Sequence, residues 1–345
     1  MADIIIRISG RAGRITLNRP DALNALTYDM VLKIEAALRD WAHDPAVDLV
    51  IIDAAGARAF CAGGDIQHMY DTARAGDFAY GRKFWADEYR LNAFLFNFPK
   101  PYVAFMQGFT MGGGVGVSCH GSHRILCETS QIAMPECGIG LIPDVGGSLL
   151  LARAPGRLGE YLGCTGTRMD AGNAIYAGFA DYFIPQAQWD TLMQGLESTG
   201  NVALIDQAAQ PAPPASLAQH QPMIDTIFTA SSIRDVLNGL DDTDFAQKTE
   251  AALRRNSPIS VAATLDIVRR VRGMDSIAFA LQTEYRFTYR AASEGDFIEG
   301  IRAAVIDKDR NPKWQHARLE DVSGMDVSKM LMPLPKDALN LGETS

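Results

Sequence analysis

A chain of 345 residues that is 47% apolar and 21% charged can bury a large core and has the make-up of an ordinary globule of one large or two modest domains. A formal net charge of −9 argues against a nucleic-acid partner. No apolar run approaches the ~20 residues of a membrane span, so no membrane partner is expected.

Taken in order, Ile4–Ile8, the turn Ser9–Gly13 and Arg14–Leu17 predict a β-hairpin. Thr27 is placed to cap a helix with Asp29 in its first turn, and Met30, Ile34, Ala37, Leu38 and Trp41 share one face. Val47–Ala54 predicts a strand buried on both faces, and it leads into Ala59-Phe60-Cys61-Ala62-Gly63-Gly64-Asp65-Ile66. A helix is expected over 84–98, with Phe84, Glu88, Leu91, Leu95 and Phe98 in one stripe. Glu88 therefore lies on an apolar face, where a carboxylate must find a partner, shift its pKa or face a cavity. A buried ion pair or a stripe edge near solvent are the plainer readings.

Tyr102–Met106 predicts a buried strand and runs into Phe109-Thr110-Met111-Gly112-Gly113-Gly114-Val115-Gly116-Val117-Ser118, the start of a buried helix. Consecutive glycines destabilise regular elements, so they need a reason. Tight packing is one. Access is the other: a ligand can approach the unpaired N–H groups of a helix's first turn. Two glycine-rich strand ends, Ala62–Gly64 and Gly112–Gly114, can each give one N–H to an oxygen that becomes negative during a reaction. The short strands Arg124–Cys127 and Ile132–Met134 precede a loop, 135–147, framed by Pro135 and Pro143. It carries Glu136 and Asp144. The apolar run Ile139–Ile142 favours burial of at least one of these acids over simple solvation, and such a pair can divide acid and base roles.

Helices are expected over 149–158 and 171–177. Composition shifts after Asp206, and Gln207–Ser216 reads as a linker. Asn256-Ser257-Pro258 opens a helix with Val261, Leu265, Val268 and Val271 on one face, and Asp275 is expected to cap the next. The tail after Trp314 shows little pattern. The chain is thus divided into a core over 1–205, a linker-like 206–228, a helical cap or oligomerisation region over 229–318 and a tail over 319–345. Repetition of strand, glycine turn and helix places the core in the α/β class.

The motifs AFCAGGDI, GFTMGGGVG and AMPECGIGLIPDVGG together resemble the crotonase (enoyl-CoA hydratase/isomerase) family, and within it the 3-hydroxyisobutyryl-CoA hydrolases. The likeness begins near Ile15–Pro20 and Leu23–Leu26, runs through Gly178–Tyr182, and resumes at Phe297–Ala303 and Asp307–Trp314. The resemblance implies a spiral of ββα turns and an acyl-CoA substrate. The N–H groups of Gly64 and Gly113 would form the oxyanion hole. Glu136 would act as general base or nucleophile, Asp144 would bind the acyl hydroxyl or orient Glu136 and water, and Glu88 would contact the acyl end. Backbone near Ala62, with Arg19 and Arg58, would receive CoA. No cofactor is implied, since coenzyme A is part of the substrate. A homotrimer or hexamer is implied by the family's habits.

The sequence departs from the hydratase pattern at two places. The second hydratase acid belongs two residues after the third glycine of the GGG run, where this chain has Gly116. Where hydratases usually carry glycine, it has Asp144. Both departures match the hydrolases, so the expected reaction is thioester hydrolysis in valine catabolism. An isomerase or hydratase, and a silent CoA-ester-binding protein, are the alternatives.

The remaining features read plainly. Five cysteines with no C-x-x-C pair suggest reduced thiols. The N-terminal residues lack a basic or apolar leader pattern, so a cytoplasmic protein is expected. His68, His120 and His123 have no ligand spacing, so no metal is expected. Arg254-Arg255 and Arg269-Arg270 read as solvated helix faces, with a CoA-phosphate role as the alternative.

Overall fold

The computed structural model describes residues 2–342. Among the described residues, nine strands are divided between two sheets. The larger holds β1 (Ile4–Ser9), β2 (Ala12–Leu17), β3 (Leu49–Ala54), β5 (Tyr102–Met106), β7 (His123–Leu126) and β9 (Tyr182–Phe183) in that spatial order. The smaller holds β4 (Ala59–Cys61), β6 (Phe109–Met111) and β8 (Gln131–Ala133). From β3 onward the chain alternates between them, so each turn of the spiral adds one parallel strand to each sheet. Among the strand pairs of the described residues, the opening hairpin, β1 with β2, is the antiparallel one. Because β3 and β5 are covered on both faces, they read as continuous apolar runs rather than as alternation.

The local expectations hold at several helix starts. Thr27 accepts a hydrogen bond from the Met30 N–H and starts helix Tyr28–His43. Ser257 caps helix Pro258–Met274 by accepting from the Ser260 N–H, with proline at the first helical position and Val261, Leu265, Val268 and Val271 buried. Asp275 does not cap the following helix. It ends the preceding one in a left-handed conformation (φ 43°), and Ser276 caps helix Ile277–Glu294. The helix that carries Glu88 starts earlier than its stripe suggested, spanning Ala79–Phe96.

The linker-like segment and the tail are both folded. Residues 206–228 include helix Gln221–Ile227, with Ile224, Ile227 and Phe228 buried. The proline-rich stretch packs on the core because Asn173 accepts the Leu217 N–H and donates to Ser216 Oγ, while Gly172 leaves room for the carbonyl of Pro213. Composition reports the lack of a local preference there, not the lack of tertiary contact. In the tail, Leu319, Met330, Leu331, Leu339 and Leu341 are buried in the same hydrophobic cluster as Ile4 and Leu126. That cluster runs from the first strand to the last described residues, so the C-terminal helices share the core of the sheets. All five cysteines are free and buried. No described helix is long and apolar enough to cross a membrane.

This predicts that Leu331→Ala, in the supposed tail, lowers unfolding free energy by about 2–4 kcal/mol. Met325→Ala, at a side chain 81% exposed, should change it by less than about 0.5 kcal/mol. Urea unfolding of the two variants is the check, and equal stability would show a tail that does not join the core.

Candidate active site

The small sheet sets the site. Its three parallel strands end side by side, with Cys61 opposite Thr110 and Met111 opposite Ala133. Three segments therefore leave one sheet edge together: Ala62–Gly64 after β4, Gly112–Gly113 after β6, and Pro135–Glu136 after β8. They surround a cavity of roughly 390 Å³. The C-terminal ends of parallel strands are the usual place for a ligand in α/β proteins.

Each glycine turn leaves one amide free. Leu26 pairs with Gly64 as an isolated bridge, in which Leu26 N–H donates to Gly63 O (2.9 Å) and Asp65 N–H donates to Leu26 O (2.8 Å). The N–H of Gly64 itself then points away from Leu26. Gly113 opens a single helical turn, Gly113–Gly116, so its N–H has no intrahelical acceptor. Among the described residues neither N–H takes part in a hydrogen bond. The two lie close together, since a Cβ on Gly113 would stand 3.4 Å from Gly64 N. Gly112 has φ +50°, and a Cβ there would come within 2.8 Å of Glu136 Oε1, so only glycine lets the acid lie against this turn.

Glu88, Glu136 and Asp144 all line this cavity and are almost wholly buried. Helix Ala79–Phe96 brings Glu88 in, and Glu88 forms no ion pair among the described residues. Glu88 Oε1 and Glu136 Oε2 have no hydrogen-bond partner among the described residues. Asp144 Oδ2 accepts the Tyr89 hydroxyl at 2.6 Å. Burial and then the neighbouring Asp144 push the Glu88 and Glu136 carboxyls well above the carboxylate range. Burial pushes Asp144 up to about 7, against the pull of Tyr89 and of its own backbone. The three carboxyls share one cavity and titrate as a set. Ala62 is also on the cavity wall.

The two other residues expected to meet CoA are not on this wall. Arg19 is committed to Asp65 (3.0 Å), Asp3 and the carbonyl of Ala25. Arg58 is exposed beside β4. Instead the pair Arg254-Arg255 divides: Arg254 binds Glu250 and Glu320, while Arg255 lines the cavity without an ion pair among the described residues. Arg269 caps the carbonyls of Phe228, Ala230 and Ser231, and Arg270 pairs with Asp266, so both serve structure. His120 is a buried core histidine bonded to Val145 O. Among the described residues no cluster of His, Cys, Asp or Glu has the geometry of a metal site. Missed from sequence as site residues were Tyr89, Trp85, Phe297 and Asn256, while Arg255, read first as part of a solvated helix face, takes the cavity-wall place given there as the alternative. The rings of Trp85 and Phe297 meet with centroids 5.4 Å apart, and both residues line the cavity. Only the helical spacing of Trp85 with Glu88 gave any signal for them.

A two-sheet parallel spiral with paired free amides facing buried acids is a crotonase-fold site. The enoyl-CoA hydratase/isomerase family profile matches residues 12–331. The chain is 38% identical to a mitochondrial 3-hydroxyisobutyryl-CoA hydrolase of Gallus gallus over 99% of its own length and 91% of the relative's. It is 40% identical to the enzyme of that name from Xenopus tropicalis, over 98% and 91%. Among solved structures it superposes with a TM-score of 0.95 on an enoyl-CoA hydratase from Rhodobacter sphaeroides 2.4.1, 54% identical, covering 98% of this chain and 100% of that one. A carnitinyl-CoA dehydratase from Mycobacterium thermoresistibile matches with a TM-score of 0.94 at 39% identity, over 98% of each chain. The chain belongs to the enoyl-CoA hydratase/isomerase family.

The buried acids carry a stability signature. Between its ordinary value of 3.8 and about 7, folded Asp144 keeps a proton that the unfolded chain has lost. Unfolding free energy therefore falls as pH rises across that window. Asp144→Asn, which still accepts from Tyr89, should be more stable than the parent at pH 8 by on the order of 2–4 kcal/mol and equal to it near pH 3.5. Urea unfolding at the two pH values decides. No gain at pH 8 would mean that the carboxyl is solvated.

Proposed function

We propose that the chain hydrolyses a short acyl-CoA thioester, 3-hydroxyisobutyryl-CoA above others, to 3-hydroxyisobutyrate and free CoA. The observation that carries the reading is the pairing of two free amides with the acids of the proline-framed loop, while the place of the second hydratase acid is filled. A Cβ on Gly116 would lie 2.8 Å from both Asn92 Nδ2 and Val145 Cβ, so no longer side chain fits there in this packing.

The thioester carbonyl oxygen sits between the N–H groups of Gly64 and Gly113, which hold its charge as water adds to the carbon. Glu136 lies against the Gly112 turn, within reach of that carbon. Ionised as the charged member of the coupled set, it takes the proton from the attacking water. As the tetrahedral adduct collapses, the C–S bond breaks and Glu136 returns the proton to the CoA sulfur, so one water is consumed and one thiol released. Three carboxyls in one dry cavity cannot all be charged. Glu88, held high by burial, is a neutral donor to an oxygen on the acyl group. Asp144 accepts from the acyl hydroxyl as well as from Tyr89. Trp85 and Phe297 limit the acyl group to a short one. Arg255 places one positive charge on the wall for the phosphate-bearing end of CoA.

Hydration of an enoyl-CoA is the second reading, favoured by the Rhodobacter structure described under that name. It needs a second acid opposite Glu136 on the substrate, and the closed wall at Gly116 does not provide one.

Glu136→Gln should lower the turnover of 3-hydroxyisobutyryl-CoA, followed by thiol release, by about 10²–10⁴-fold. Retention within threefold would remove Glu136 from the chemistry. Crotonyl-CoA given to the parent enzyme should keep its conjugated-thioester absorbance. Its rapid loss without release of thiol would establish hydration instead.

A further inference from the structure

Glu284 lies on helix Ile277–Glu294, far in sequence from every motif of the site, and is fully buried. Its two oxygens are both occupied by the turn that follows Asp144. Gly146 N–H donates to Oε2 at 2.8 Å, and Ser148 N–H donates to Oε1 at 3.0 Å. The Ser148 hydroxyl donates to Oε1 as well. Three donors converge on one acceptor-only group. A carboxylate meets all of them, whereas an amide would turn an N–H toward an N–H.

The turn so held is strained. Val145 has φ +54°, rarely adopted by a β-branched residue, and Gly146 has φ +78°. A Cβ on Gly146 would stand 2.7 Å from both His120 Nε2 and Ile277 Cδ1. On the other side of the turn, His120 Nε2 meets Val145 O at 2.8 Å. Such a conformation persists only where its surroundings over-determine it. Its consequence is the direction of Asp144, which precedes Val145 and whose carboxyl meets Tyr89 and the cavity.

We propose that Glu284 is a positioning residue of the reaction: it pins the amides of Gly146 and Ser148 and so locks the Val145 turn that aims Asp144 into the cavity. The proposal rests on the hydrolase reading for its effect on rate, but not for its effect on the turn. Glu284 touches neither the oxyanion amides nor the cavity wall, so its contact route to the reaction is the turn that carries Asp144.

Four variants test it: Glu284→Gln, Asp144→Asn, their double variant, and Ser148→Ala, which removes one donor and leaves both amides. In thiol release from 3-hydroxyisobutyryl-CoA, Glu284→Gln should lower kcat about 10–100-fold with KM within twofold, as a misplacement near 1 Å does. The double variant should be no slower than Asp144→Asn alone, because both losses pass through one carboxyl. Ser148→Ala should lower kcat by about threefold and serves as the probe if Glu284→Gln does not fold. Amide hydrogen exchange at Gly146 and Ser148 should quicken at least about tenfold in Glu284→Gln. Losses that multiply in the double variant, kcat within threefold in Glu284→Gln, a KM that moves with kcat, or unchanged exchange would each overturn the proposal. If the parent releases no thiol from any acyl-CoA, the hydrolase reading fails, and the exchange measurement still decides the role of Glu284 in the turn.

Discussion

Everything at the site depends on carboxyl groups kept out of water with no ion pair among the described residues to balance them. Glu88, Glu136 and Asp144 share one cavity, and Glu284 lies behind it. Burial leads the causes that raise the pKa of all four, and Asp144 raises the other three further. Elsewhere the protein treats its buried acids differently: Glu160 is fully buried but held by Arg157 and Arg272. The site acids are left with hydroxyls and amides alone. That arrangement destabilises the folded chain above neutral pH, and it keeps protons available where a thioester would lie. The large shared core can carry this penalty, which explains why the C-terminal helices are not a loosely attached cap.

Those helices also give the proline-framed loop its shape. Ser257 N–H donates to Cys137 O, and Asn256 Nδ2 donates to Cys164 O. A Cβ on Gly140 would collide with the backbone of Asp296, and one on Gly300 with the carbonyl of Ile139. Glu284 adds the third fastening. The loop is thus rigid although its own residues form only one 3-10 turn, Glu136–Ile139. Acids on such a loop can be strained and desolvated because their supports come from elsewhere.

This division explains what the sequence disclosed. Gly64, Gly112, Gly113 and Glu136 were legible because each lies within three residues of a strand end, in a local pattern whose chemistry is nearly self-explanatory, and Asp144 because it shares the proline-framed loop with Glu136. Glu88 was legible as an anomaly, an acid on an apolar stripe. Glu284 also lies on a helical face among buried residues, but among Tyr285, Phe287 and Thr288 it has no local mark, since its partners stand some 138 positions away in the chain. Phe297 escaped as a wall residue for the same reason, and Arg255 could be told from Arg254 only by the fold, which pairs Arg254 with Glu250 and Glu320. The linker and tail were misread because proline and alanine content reports local propensity, while Asn173 and Leu341 are set by tertiary contact. Arg19 looked available because its partners, Asp3 and Asp65, are joined to it only by the fold.

The two departures from the hydratase pattern are not independent. Asp144 can face the cavity because the next residue, Val145, turns with positive φ. That turn drives Val145 toward the Gly113–Gly116 helix, where its Cβ would lie 2.8 Å from a side chain on Gly116. Asn92, four residues along the helix from Glu88, fills the rest of that space with an amide that has no partner among the described residues. An acid at 144 in this turn therefore occupies the room that an acid at 116 would need. Either wall can supply the second carboxyl, but this packing does not allow both. The reaction is thereby tied to backbone geometry: moving the acid from one wall to the other requires rebuilding the turn, and the turn is held by Glu284 and His120 rather than by the site itself.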